Sequence, residues 1–209
     1  LGLQPDMIVH LLSTLVAIAA FFTAPKLAAA APPVFTTQPE LVLGSGAAEG
    51  PVWHPKLGLL TSGEGNINRL NLAGEASVYR KDAGSNGLLF DRSGCLIVCE
   101  NRKRRITRTN HDGTITVLAN SYDGKRFNQP NDLTIDSKNR IYFSDPQYGD
   151  RSKMEMRDPT GKNVEGVYRV DPDGTIARVI THEVDRPNGL IMTPDDRYLF
   201  VADNNNGPG

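Results

Sequence analysis

Few ready-made reactive groups occur in this chain of 209 residues. It has two cysteines, Cys95 and Cys99. On one strand, a four-residue separation at about 3.3 Å per residue holds them roughly 13 Å apart, and a disulfide needs Cα atoms within about 7 Å. Two buried thiols are therefore expected. A cysteine pair without clustered histidines is a poor zinc site, and His54, His111 and His182 share no spacing that suggests one. No Gly-x-Ser-x-Gly elbow marks a serine hydrolase. Neither sign of charge is in excess: 23 basic residues stand against 24 acidic ones, so no basic footprint points to nucleic acid. The one basic cluster, Arg102 to Arg105, falls between two strand-like runs and reads as a solvated hairpin. Beyond residue 30 no sustained helical period is found.

The first thirty residues differ from the rest. Ile8 to Ala24 carries no Asp, Glu, Lys or Arg and is followed by Lys26-Leu-Ala-Ala-Ala30. An apolar core ending in small residues is the pattern of a signal peptide. Spanning a bilayer takes about 20 apolar residues, and this run is shorter. The expectation is a leader over 1–30 cleaved near Ala30, export to the periplasm or the medium, no stable membrane insertion, and a folded region over 31–209. No oligomeric state follows from the sequence.

What the chain does contain is repetition. Glu49-Gly-Pro-Val-Trp53, Asn86-Gly-Leu-Leu-Phe-Asp91, Asn131-Asp-Leu-Thr-Ile-Asp136 and Asn188-Gly-Leu-Ile-Met192 each put a side-chain oxygen ahead of a short apolar run, then a turn and a second apolar run. From Gly50 to Gly87 to Asp132 to Gly189 the steps are 37, 45 and 57 residues, near the period of four-stranded propeller blades once loops are allowed for. Leu88-Leu-Phe, Cys95-Leu-Ile-Val-Cys, Arg105-Ile-Thr-Arg and Thr114-Ile-Thr-Val-Leu read as the four strands of one unit, with Ser-Gly and Asp-Gly turns between them. An all-β propeller is the favoured architecture, and a two-sheet sandwich is the alternative. The polar stretch from Asp150 to Glu165 lengthens the third step and is expected as a surface loop, either a lid or an insertion without a role. The last strand-like run, Tyr198 to Ala202, is the second strand of a fourth unit, so the expectation is about three and a half blades of an incomplete propeller.

Four motifs in this order, Glu49-Gly-Pro-Val-Trp53, Arg126-Phe-Asn-Gln-Pro-Asn-Asp132, Tyr142-Phe-Ser-Asp-Pro-Gln-Tyr-Gly149 and Pro187-Asn-Gly-Leu190, resemble the senescence marker protein, gluconolactonase and luciferin-regenerating enzyme family, which includes regucalcin. The resemblance implies a six-bladed propeller holding one divalent cation, usually calcium, and hydrolysing lactones or related esters. It makes Glu49, Asn131 and Asn188 the metal ligands. Asp132 becomes the carboxylate lining the site and a catalytic candidate, with a further aspartate expected beyond Gly209. Arg126, Asn131, Asp145 and Tyr148 become the substrate contacts, although Gln129 and Pro130 intervene between the Arg126-Phe-Asn128 segment and Asn131, and Asp145 and Tyr148 could equally brace the blade.

The residue types agree with that chemistry on their own terms. Calcium takes about 6 to 8 hard oxygen ligands, which Glu and Asn side chains supply, and a radial repeat would aim oxygens from distant sequence positions at one axial point. Singly, each has a plainer reading: Asn before Gly is commonly a turn residue, and Asn86 is left in that role. The functional expectation is a calcium-dependent lactonase opening a sugar-acid lactone such as gluconolactone to its aldonic acid. The alternatives are a non-catalytic ligand- or protein-binding propeller with a structural ion, and an esterase or phosphotriesterase on the same site.

Overall fold

The computed structural model describes residues 47–205, so the leader expected over 1–30 lies outside the described residues. Three four-stranded antiparallel sheets follow one another, each with its strands in chain order. The first is β1 (Glu49–His54), β2 (Gly58–Gly63), β3 (Asn66–Leu70) and β4 (Ala76–Arg80). The second is β5 (Leu88–Phe90), β6 (Leu96–Glu100), β7 (Arg105–Thr109) and β8 (Ile115–Ala119). A small hairpin, β9 (Ser121–Tyr122) and β10 (Lys125–Arg126), precedes the third, β11 (Leu133–Ile135), β12 (Ile141–Asp145), β13 (Gly166–Val170) and β14 (Ile176–Ile180). The pair β15 (Pro187–Met192) and β16 (Leu199–Asp203) opens a fourth unit. Separate meanders in chain order are propeller blades, and they exclude two facing sheets of a sandwich. Among the described residues the only helical element is a 3₁₀ turn, Asn101–Lys103, and no helix is long and apolar enough to cross a membrane.

One turn device recurs between the first two strands of a blade. Asp91 Oδ1 accepts the N–H groups of Ser93 and Cys95, each at 2.9 Å. Asp136 Oδ1 does the same for Lys138 and Arg140, again at 2.9 Å. A short carboxylate side chain thus satisfies the turn's own donors and fixes the hairpin. Each turn closes through a left-handed residue, Gly94 at φ +81° and Asn139 at φ +58°, the residue types that tolerate that region.

The core lies between blades. Strand β6 alternates as a pleated strand must: Leu96 and Val98 join Leu60, Ile67 and Leu88 on one side, while Ile97 and Cys99 join Phe127, Phe143 and Tyr168 on the other. The three rings of Phe127, Phe143 and Tyr168 pack with centroids 5.0 to 5.6 Å apart. Cys95 and Cys99 are free and buried, in line with the strand-spacing argument.

Two expectations change. The Arg102 to Arg105 cluster is a solvated hairpin in its first half only: Arg102 and Lys103 are exposed, but Arg104 and Arg105 are partly buried. Arg105 Nε donates to the fully buried Glu100 carboxylate at 2.6 Å, and Arg104 donates to the Phe127 and Arg126 carbonyls and, at 3.0 Å, to Glu155. Buried acceptors need donors, and this cluster provides them. The 150–165 stretch is likewise no loose insertion: Met156 and Val164 belong to the core between blades, an Arg151–Glu165 ion pair joins its two ends, and Asp158 in its middle meets His182 Nε2 at 2.9 Å.

Candidate functional site

The site is built by close approach of successive inner strands. A Cβ placed on Gly50 would stand 2.3 Å from the Asn86 carbonyl oxygen, and one on Gly87 would stand 2.6 Å from that of Asn131. Only hydrogen fits there, and Gly87 N–H uses the space to donate to Asn131 O at 2.7 Å. In the third blade the glycine position is taken by Asp132. Its Oδ1 accepts the Leu133 N–H at 2.9 Å, and its carboxylate also takes the Leu190 N–H of the fourth blade.

This packing brings the preceding residue of every blade to one place. Glu49, Asn86, Asn131 and Asn188 line a single cavity of about 220 Å³ together with Asp132, Gly50, Pro51 and Leu88. Asn131 is buried and Glu49 is exposed, so the cavity runs from solvent into the interior. Burial raises the Asp132 carboxyl above the ordinary aspartate range, against the two backbone donors that favour its anion.

The other proposed contacts lie elsewhere. Tyr148 does not line the cavity, but its hydroxyl accepts Asn188 Nδ2 at 2.7 Å. Asp145, read as a substrate contact, has no solvent exposure. Its Oδ2 accepts the Asn128 N–H at 2.8 Å, while Asn128 Nδ2 bonds the Asp145 and Val164 carbonyls. The Ser-Asp-Pro turn therefore sends this side chain inward, and burial pushes its pKa up to about 8. Arg126 is also outside the cavity lining. The β9–β10 hairpin carries it to the surface, where its guanidinium reaches the Lys103 carbonyl at 3.5 Å. In the other direction, Asn86 does line the cavity. Its place ahead of Gly87, matching Asn188 ahead of Gly189, was the signal that a turn reading passed over.

The donor set is two carboxylates and three carboxamides, with no thiol or imidazole. Among the described residues no three His, Cys, Asp or Glu side chains cluster as metal ligands, so a cation here would depend on amide oxygens as well. Hard oxygen donors of this kind suit calcium-like ions and not zinc.

Comparison with known proteins agrees with the architecture. Residues 47–207 match the family described as the SMP-30/Gluconolactonase/LRE-like region. The chain belongs to that family. A gluconolactonase of Zymomonas mobilis is 35% identical over 123 residues, covering 58% of this chain and 34% of the relative. The solved structure of a gluconolactonase from Xanthomonas campestris is 31% identical with a TM-score of 0.65, over 77% of this chain and 56% of that one. A calcium-binding regucalcin from Agrobacterium tumefaciens, at 17% identity and a TM-score of 0.56, shares the fold. The chain thus spans about a third of the Zymomonas relative and just over half of the Xanthomonas structure, matching part of a six-bladed propeller.

Proposed function

We propose that the protein acts as a gluconolactonase-like lactonase that hydrolyses a sugar-acid lactone, with calcium bound in the cavity by Glu49, Asn131 and Asn188. The observation that carries this reading is that Glu49, Asn86, Asn131 and Asn188, one from each of four successive blade units, line one cavity; the gluconolactonase relatives support the substrate class. A hard divalent cation bound there supplies Lewis acidity toward the lactone carbonyl.

The chain's own residues supply the remainder. Asn131 and Asn188 present neutral oxygens, and Glu49 presents a charged one at the mouth. Asp132, whose carboxylate lines the same cavity, is the group placed to act as general base. Water loses a proton to the Asp132 carboxylate as its oxygen bonds to the lactone carbonyl carbon. The ring C–O bond then breaks, the departing ring oxygen takes the proton back, and the product is the open aldonic acid.

The test is lactone hydrolysis by the full chain, followed by pH-stat titration with glucono-δ-lactone. Turnover that disappears with chelator, returns with calcium and falls by about 10²-fold or more in Asp132→Asn is the expected result, since general-base removal typically costs 10²–10⁴. Calcium binding without turnover would instead favour a binding propeller.

A further inference from the structure

We infer that Tyr148 is a positioning residue that sets the Asn188 carboxamide with its oxygen toward the cavity, an inference that rests on the proposed cation at that site. A carboxamide has two ends of nearly equal shape, and only the oxygen can serve a cation. Rotation by half a turn would place an N–H₂ group against positive charge. Something must choose between the two.

The Tyr148 hydroxyl accepts two amide donors at once, Asn188 Nδ2 at 2.7 Å and Asn204 Nδ2 at 3.0 Å. Asn188 lies on β15 and Asn204 just beyond β16, so one third-blade oxygen ties both strands of the fourth unit. With Nδ2 held there, Asn188 Oδ1 is the end left for the cavity that Asn188 lines.

Tyr148 is itself held from several sides. Its N–H donates to Gln129 Oε1 at 2.9 Å, and the Arg186 guanidinium lies 5.6 Å from its ring centroid, within cation–π range. Gln129 belongs to the loop that leads into Asn131, so the same loop that carries one proposed ligand also anchors the tyrosine that holds the other. Groups outside the ligand shell that orient a ligand commonly govern metal affinity in this way.

Tyr148→Phe removes the hydroxyl and keeps the ring over which Arg186 stacks. Calcium titration by calorimetry, with terbium luminescence as a second readout, should show affinity weakened by about tenfold or more, with the far-UV spectrum unchanged. The same substitution on an Asn188→Ala background should change affinity by less than about twofold, because the residue through which Tyr148 acts is gone. Equal losses in both backgrounds, or no loss in the native one, would overturn the positioning role while leaving the metal reading intact. Native protein that takes up no cation would sink both. Should Tyr148→Phe fail to fold, the native protein still decides the matter: the Asn188 side-chain amide protons, assigned by NMR, should be protected from solvent exchange, and unprotected ones would refute the bond.

Discussion

Replacing Asp145 by Asn tests the interior directly, because it removes the capacity to ionise without changing shape. The carboxyl has no solvent exposure, one oxygen accepts the Asn128 N–H, and the other, Oδ1, has no partner. Burial, opposed by that N–H, raises its pKa to about 8 in the folded protein, against about 3.9 for an unfolded aspartate. The folded state therefore binds the proton more strongly. This group's contribution to stability is fully present below about pH 4 and is lost as pH rises toward 8. Each unit is worth about 1.4 kcal/mol, so three units between pH 4 and 7 correspond to roughly 4 kcal/mol. Asp145→Asn keeps an acceptor for Asn128 and cannot ionise. Urea unfolding of both proteins with chelator present, at pH 5, 6, 7 and 8, should give a stability difference moving in the variant's favour by about 1.4 kcal/mol per unit and levelling above pH 8. Taking the difference cancels carboxylates of opposite slope such as Asp136, where donors from Arg140 and Lys138 outweigh burial and lower the pKa. A difference that stays constant from pH 5 to 8 would refute a neutral Asp145.

The repeat was legible because every blade must solve the same problem locally. Asp91 and Asp136 each close a hairpin with their own side chain, and the Asx turn is a short-range device that sequence displays openly. The cavity was legible for the same reason: Glu49, Asn131 and Asn188 occupy equivalent positions, and radial packing converts equivalence into proximity. What sequence could not show was the direction of individual side chains at irregular turns. Asp145 and Tyr148 stand three residues apart in one motif, yet one is wholly buried and the other reaches across to Asn188. Arg126 stands in the same motif as Asn131, but a hairpin turns it outward. The Arg102 to Arg105 cluster misled because charge density says nothing about distant partners. Glu100 lies beside it in sequence, but the Phe127 carbonyl that Arg104 serves belongs to another segment.

Four further substitutions, two of them controls, probe how the blades are joined. Glu100 is wholly buried, 2.7 Å from Arg80 and 2.6 Å from Arg105. Glu100→Gln should lower stability in urea unfolding by about 3–5 kcal/mol, the usual cost of stranding a buried partner. Glu155→Gln, at a half-exposed pair with Arg104, should cost no more than about 1 kcal/mol; equal effects would deny the buried network its role. Gly87→Ala tests the hub, because the added Cβ would meet Asn131 O at 2.6 Å and Asp132 Cα at 2.8 Å. Both obstacles are backbone, so neither can rotate away, and the overpacking cost of about 1–3 kcal/mol falls on the segment that carries two of the cavity's side chains. Stability and lactone turnover should therefore drop together. Gly113→Ala is the control: at φ +82° with nothing within 4 Å of a Cβ, it carries only the strain of about 1–2 kcal/mol for a left-handed residue and leaves turnover unchanged. If Gly87→Ala were as mild as this control in both measurements, the inner strands could not be meeting at Gly87, and the cavity would lose the contact that assembles it.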